Sequence, residues 1–230
     1  MKIFTYIKND SSRVPKKNFR TLGASPLWKH LAYEMSEIPS TTLYIDTDSN
    51  SVLQDCRADK RLSDVIAYKR KKRFIDLEND PNNKISPALL MTQNFLEKHV
   101  SDENEVIVLT HVTSPFLKSS TVVDAASYLN KGYDSVHSTY SVQDFAWLGE
   151  KYAPINFNPA VVQKTQDIEK IHFSSGAFFI FTKRTFLENM NRLGKNVYYY
   201  GLDKKQAIEI DTLEDLEFAR VVHRGVKNER

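Results

Sequence analysis

Five cations, Lys8, Arg13, Lys16, Lys17 and Arg20, fall within thirteen residues of sequence, interleaved with Ser11, Ser12 and Asn18 and placed straight after the strand-like run Ile3 to Ile7. A guanidinium can grip two phosphate oxygens at once, an ammonium acts as a mobile point charge, and hydroxyls and amides add neutral donors. In α/β proteins the loop that leaves the first strand is where such groups and backbone N–H dipoles converge on phosphate. The mix suits a triphosphate whose charge grows as pyrophosphate departs. It equally suits a solvated basic loop, because short charge clusters are common on surfaces.

A second chemical signal lies near the other end. Glu209 and Asp211 are two residues apart in a run, Ala207 to Ile210, with strand character. On a strand that spacing puts both carboxylates on one face, and a pair of hard oxygen ligands can hold Mg²⁺ against phosphates. Asp211 can also serve as a cap for the helix that opens at Thr212, and Glu209 as an ordinary exposed strand residue. Arg70, Lys71, Lys72 and Arg73 form another basic run after the strand Val65 to Tyr68. His111 and Thr113 follow the strand Val106 to Leu109, at the end of an open sheet where ligands bind; His111 fits a satisfied core histidine as well.

The elements that must hold these residues alternate. Ile3 to Ile7, Thr42 to Ile45, Val65 to Tyr68, Val106 to Leu109 and Ser135 to Ser138 are short apolar runs separated by helical patterns, the rhythm of βαβ units. Ser25-Pro26 and Ser86-Pro87 mark helix starts, with serine as cap and proline at the first helical position. After Ser120, the spacing of Val122, Ala125, Ala126 and Leu129 gives a helix with one apolar stripe. Gly176 to Phe181 is expected to be a buried strand, followed by a helix from Thr182 to about Asn191 and a strand from Val197 to Tyr200. The last helix begins at Thr212 with Asp215 three residues on, and carries Leu213, Leu216 and Ala219 inward. From Tyr140 to Phe173 the rhythm fails: Pro154, Pro159, several asparagines and scattered aromatics predict an extended, irregular arm.

Composition bounds the rest. The 230 residues suffice for one domain with one excursion. A net charge of +3 is too balanced to favour nucleic acid as partner. The lone cysteine, Cys56, excludes an internal disulfide framework and a cysteine-rich zinc site, and its expected role is an inert thiol near a helix end. No apolar run approaches a membrane span and the first residues lack signal-peptide zones, so a cytoplasmic location is expected, with no membrane partner.

The run Ser11-Ser12-Arg13-Val14-Pro15-Lys16-Lys17-Asn18-Phe19-Arg20 resembles the signature of the acylneuraminate cytidylyltransferase family, the CMP-sialic acid synthetases and their relatives. Ile45-Asp46-Thr47-Asp48, Thr113-Ser114-Pro115, Ser175-Gly176-Ala177 and Glu209-Ile210-Asp211 resemble further family motifs in the same order. Departures stand beside these matches: Lys8 where the family has Arg, Ser12 where it has Lys, His111 where it has Gln, Glu209 where it has Asp, and Phe173 where sialic acid synthetases tend to carry Arg.

The resemblance implies an α/β, three-layer sandwich with a mostly parallel sheet, of the nucleotide-diphospho-sugar transferase kind. It implies one domain over residues 1 to 230, with a dimerisation arm at about 140 to 173 and a homodimer. The implied activity joins CTP to a 2-keto sugar acid, giving a CMP-sugar and pyrophosphate. Lys8, Ser11, Arg13, Lys17, Asn18 and Arg70 would bind the nucleotide, with Lys17, Arg13 and Asp211 carrying the chemistry. His111, Thr113 and Gln166 would face the sugar, and Asp211 with Glu209 would hold Mg²⁺. Another nucleotidyl or glycosyl transferase of the same fold, or a non-catalytic nucleotide-sugar-binding protein, is the alternative.

Overall fold

The computed structural model describes residues 1–83 and 86–228. Seven strands make the main sheet: β1 (Lys2–Ile7), β2 (Thr42–Thr47), β3 (Ile66–Lys69), β4 (Val106–Thr110), β5 (Ser135–Val142), β6 (Ile171–Thr182) and β7 (Val197–Gly201). Their spatial order is β7-β5-β6-β4-β1-β2-β3. Neighbours are parallel except where β6 runs antiparallel between β4 and β5.

Strand alternation splits the core into two faces. Ile3, Ile7, Ile45, Val108, Val136, Phe178 and Ile180 point to one side, where they meet Trp28, Leu31 and Met35 of α1 (Leu27–Ser36), Val52 of α2 (Asn50–Ala58) and Val122 of α5 (Ser119–Ala126). Phe4, Tyr44, Leu109, Phe179 and Phe181 point to the other, against Phe95 of α4 (Ala88–His99) and Phe186 of α6 (Lys183–Asn189). Helices on both faces of a nearly parallel sheet make the expected three-layer α/β sandwich. Each fully buried large apolar side chain contributes roughly 1.5–3 kcal/mol by leaving water. Cys56 is buried in α2, and desolvation pushes its thiol up to about 11, consistent with an inert role. No helix among the described residues is long and apolar enough to cross a membrane.

Several boundaries differ from the sequence expectation, each for a local reason. Pro26 and Pro87 stand at the caps, one position before the helices they introduce. Pro26 is kept extended because Ser25 and Pro26 pair with Leu22 and Thr21 in a two-stranded ribbon. The helix opened by Thr182 stops at Asn189, since Met190 adopts a left-handed conformation. Ala207 to Ile210 is not a strand: Ala207 and Ile208 close turns onto Asp203 and Lys205, and Ile210 N donates to Thr113 O.

In α7 (Leu213–Asn228), Leu216 and Ala219 pack against Leu22, Leu27 and Ile210, whereas Leu213 is 53% exposed. Steps of three residues each fall about 60° short of a full turn, so the three side chains cannot share one contact line.

The arm is more regular than expected at its ends. Ile171 to Ser174 pairs with Thr139 to Val142, so both flanks extend the sheet. Beyond them, Trp147–Leu148 and Ala153–Pro154 form a small hairpin, tied down where Asn156 Nδ2 donates to Asp144 O and Glu169 O, both at 2.9 Å.

Candidate active site

The loop after β1 is folded by its own polar groups. Asp10 Oδ1 accepts from the backbone N–H of Ser11 (3.0 Å) and of Lys16 (3.4 Å), and these bonds hold its carboxyl below the ordinary aspartate range. Val14 is fully buried and pins the loop to the core. Lys16 takes a left-handed conformation (φ 56°), which turns the chain into a single 3₁₀ turn over Lys17–Phe19. Asn18 Nδ2 donates to Lys8 O (2.9 Å) and straps the turn back onto the strand exit.

The consequence is that Lys17 points inward. Its Nζ donates to Ile210 O (2.8 Å) and to Asp211 Oδ1 (2.9 Å), and its side chain is only 10% exposed. Arg13 Nη2 donates to the same Asp211 oxygen at 2.9 Å. Cations and carboxylate from opposite ends of the sequence therefore meet at one point.

The opposing wall is fixed from the other side. Thr212 and Asp215 form a reciprocal capping box: Asp215 Oδ2 accepts from Thr212 N (2.8 Å), and Thr212 Oγ1 accepts from Asp215 N (3.1 Å). Asp215 Oδ2 also takes the N–H of Asp211 (3.0 Å), so the helix start positions the carboxylate. Thr113 Oγ1 donates to Glu209 Oε1 at 3.2 Å. Gly176 lets Glu209 sit there, because a Cβ on residue 176 would lie 2.6 Å from that same oxygen.

His111 Nδ1 donates to Gly176 O (2.5 Å), leaving Nε2 to accept from the Tyr6 hydroxyl (3.0 Å). Burial pushes this imidazole down to about 4, reinforced by the charge of Arg192, so it is neutral at physiological pH. Both expectations for His111 are thus combined: it is a satisfied histidine and a cleft wall.

The resulting cleft of about 340 Å³ opens at the carboxyl ends of the parallel strands, where β1 and β4 deliver Lys8, His111 and Thr113. It is also lined by Ser11, Arg13, Lys17, Asn18, Glu209 and Asp211. Two candidates lie elsewhere. Arg70 is behind the cleft with its guanidinium fully committed: Nε donates to Asp46 Oδ1 (2.6 Å), Nη1 to Glu78 Oε2 (2.7 Å) and Nη2 to Asp46 O (3.2 Å). Its reach is spent on the fold, and it meets the cleft only through Glu78. Gln166 sits in an exposed 3₁₀ turn, Thr165–Asp167, where its carbonyl accepts from Gln143. Sequence reasoning missed Tyr6 and Glu78 as cleft residues. The alternation of β1 carries Tyr6 to the strand end on the face of Phe4, which was a usable signal; Glu78 had none.

Glu209 and Asp211 both line the cleft, and their carboxylates are hard oxygen donors of the type Mg²⁺ accepts together with water and phosphate oxygens. Among the described residues no group of three or more His, Cys, Asp or Glu is arranged to hold a metal without such help.

No family model matches the chain. It is 26% identical over 217 residues to the N-acylneuraminate cytidylyltransferase of Streptococcus agalactiae serotype III, covering 90% of this chain and 49% of that protein. Over 226 residues it is 20% identical to the pseudaminic acid cytidylyltransferase of Campylobacter jejuni serotype O:23/36, covering 94% and 93%. The chain is similar in sequence to these cytidylyltransferases. It spans about half the length of the streptococcal relatives it matches.

Among solved structures, a CMP:2-keto-3-deoxy-manno-octonic acid synthetase complexed with CTP superposes with a TM-score of 0.65 at 12% identity, covering 97% of this chain and 98% of that one. A 4-diphosphocytidyl-2C-methyl-D-erythritol synthase from Anaerococcus prevotii gives 0.64 at 13% identity, covering 96% of each. At such identity these neighbours establish the fold, which is the nucleotide-diphospho-sugar transferase architecture expected from the motifs.

Proposed function

We propose that this protein is a cytidylyltransferase that joins CTP to the anomeric hydroxyl of a 2-keto sugar acid, releasing pyrophosphate. The observation that carries the reading is the convergence of Lys17, Arg13 and Asp211 in one cleft at the carboxyl edge of the sheet. The sequence relatives, with their cytidylyltransferase names, support the choice of nucleotide and acceptor class.

In this reading the two cations that now neutralise Asp211 are exchanged. An arriving triphosphate presents more negative charge than one carboxylate, so Lys17 and Arg13, with Lys8, turn to its oxygens. Ser11 and Asn18 fix the loop and add neutral donors. Asp211, released, and Glu209 then supply hard oxygens for Mg²⁺, which when bound would polarise the α-phosphate. The sugar hydroxyl attacks the α-phosphorus, the bond to the pyrophosphate oxygen breaks, and the cations offset the charge gathering on the leaving group. Catalysis of this kind is mostly positioning and electrostatics, and no covalent enzyme intermediate is needed.

The test is pyrophosphate release from each of the four nucleoside triphosphates with Mg²⁺ and a panel of 2-keto sugar acids. Release from CTP alone supports the reading, and release from another triphosphate redirects it to a different transferase. Saturable CTP binding without release on any acid favours a non-catalytic nucleotide-binding protein.

A homodimer belongs to the same reading. The arm displays Trp147, Leu148, Tyr152, Ile155 and Val162 at 48–104% exposure, an apolar surface suited to a second copy. Light scattering on the purified protein distinguishes monomer from dimer.

A further inference from the structure

The basic run Arg70 to Arg73 divides after its first residue. Arg70 is buried and closed by Asp46 and Glu78, whereas Lys71, Lys72 and Arg73 are exposed. Arg73 belongs to α3 (Lys72–Asn79), whose two sides face different spaces. Glu78 lines the cleft; Arg73, Phe74 and Leu77 line a separate cavity of about 390 Å³, against Leu90, Asn94 and Glu97 of α4. The cleft and this cavity have no lining residue in common.

Positive charge at the cavity is uncompensated. The Arg73 guanidinium lies 4.6 Å from the centroid of the Phe74 ring and pairs with no carboxylate among the described residues. Lys71 and Lys98 stand near it: after loss of hydration, the charges of Lys98 and Arg73 hold the Lys71 ammonium below the ordinary lysine range. Glu97 on the opposite wall accepts from Gln93 Nε2 (3.0 Å), and its pull on Lys71 is weaker than the push of either cation. Deeper in, Asn94 is 3% exposed, next to the fully buried Phe95, and its amide lines the cavity without a hydrogen bond to any described residue. An amide kept out of water with its donor and acceptor unused costs stability, so its place there calls for a reason.

Leu77, Leu90 and Gln93 are shared with a further cavity of about 400 Å³, whose other walls include Leu89, Phe186 and Met190. Polarity therefore changes along one continuous groove, from cations and an amide at one end to hydrocarbon at the other. Each half has the volume of a small-molecule pocket. We propose that the groove binds a single-chain amphiphile with an anionic head. The phosphate or carboxylate head takes the fork of Arg73 and the amide of Asn94, in the field of Lys71 and Lys98, while the chain passes over Leu77 and Leu90 into the apolar half. Asn94 is too deeply set for the flat surface of a folded partner or a bilayer to reach, but a small head group can. The inference stands apart from the cytidylyltransferase reading, because it uses none of the cleft residues.

Calorimetric titration tests it with octyl, decyl and dodecyl phosphate, each kept below its micelle concentration. Octyl glucoside supplies a chain without charge, and inorganic phosphate a head without a chain. The proteins are wild type, Arg73→Ala and Leu90→Asp, both substitutions falling on exposed side chains, with the melting temperature as folding control. The expected result is one alkyl phosphate bound per chain, with affinity rising roughly twofold or more for each added methylene. Arg73→Ala should weaken octyl phosphate about tenfold and leave octyl glucoside unchanged, the mark of a lost charge-assisted contact. Leu90→Asp should weaken both, and saturating CTP with Mg²⁺ should displace neither.

Inorganic phosphate binding as tightly as the alkyl phosphates would reduce the groove to a surface anion site and overturn the proposal. So would affinity that ignores chain length, Arg73 or Leu90, displacement of the probe by CTP, or binding seen only with micelles or with vesicles of anionic phospholipid.

Discussion

Two arginine–aspartate contacts in this molecule use the same chemistry and lead to opposite ends. Arg70 and Asp46 meet at 2.6 Å with side chains 0% and 1% exposed, and Glu78 closes the second side of the guanidinium. Arg13 and Asp211 meet at 2.9 Å with side chains 65% and 35% exposed. A buried pair cannot be opened without stranding a charge away from water, so it is part of the fold. An exposed pair has solvent as an alternative partner and contributes little to stability, so a more highly charged ligand can displace it. Lys17 stands between these cases: its ammonium is nearly buried, yet it is aimed at the rim where Asp211 meets solvent. Burial, more than residue type, separates the cations that build this protein from those free to bind.

The comparison breaks most visibly if Arg70 can be removed cheaply. Arg70→Ala strands Asp46 and is expected to cost about 3–5 kcal/mol of stability in urea unfolding. A loss near that of an exposed pair would mean that the triad is not closed.

Lys17→Ala sharpens the other side. Turnover with CTP is expected to fall about 100- to 1000-fold, the scale for removing one preorganised electrostatic donor, with the melting temperature little changed. A collapse of the fold would place Lys17 with Arg70.

His137 extends the contrast to a buried group that stays neutral. Its imidazole is lowered from the ordinary 6.5 to about 4. Above pH 6.5 folded and unfolded chains are both neutral at this site; below it the unfolded ring takes a proton that the folded one refuses. This site alone should therefore lower stability by about 3 kcal/mol as pH drops from 6.5 toward 4, and His111, lowered to the same value, adds a loss of the same sign. Urea unfolding across that range reads the slope, and His137→Phe should make it shallower while leaving the share that belongs to His111.

The smallest effect is expected at Arg13. Arg13→Ala should lower turnover about tenfold at low salt and by less near about 0.5 M salt, where an exposed cation is screened. A salt-independent loss would mean that Arg13 acts from a desolvated position.

Much of this was legible in the sequence because the relevant physics is local. The periodicity of β1, β2 and β4 and the apolar stripe of α5 fix the layers. The Ser11 to Arg20 run declares its charge, and the Thr212–Asp215 spacing declares the helix start behind Asp211. What escaped the sequence depends on the far partner of each group. Arg70 is indistinguishable in sequence from Arg73, and only the packing of β2 and α3 (Lys72–Asn79) shows that Asp46 and Glu78 have claimed it. Ala207 to Ile210 has strand composition, but its hydrogen bonds go to local turns and to Thr113. Arg192 looks like any loop arginine until Phe179 is found beneath it.

The most direct test of nucleotide capture by the first loop is the melting temperature of wild-type protein and Lys17→Ala with CTP, UTP, ATP and GTP, each with and without Mg²⁺. A ligand that prefers the native state raises its melting temperature by mass action. The expected result is a rise greatest for CTP with Mg²⁺ and abolished in Lys17→Ala. Equal shifts for all four nucleotides, or a CTP shift that survives the loss of Lys17, would contradict it.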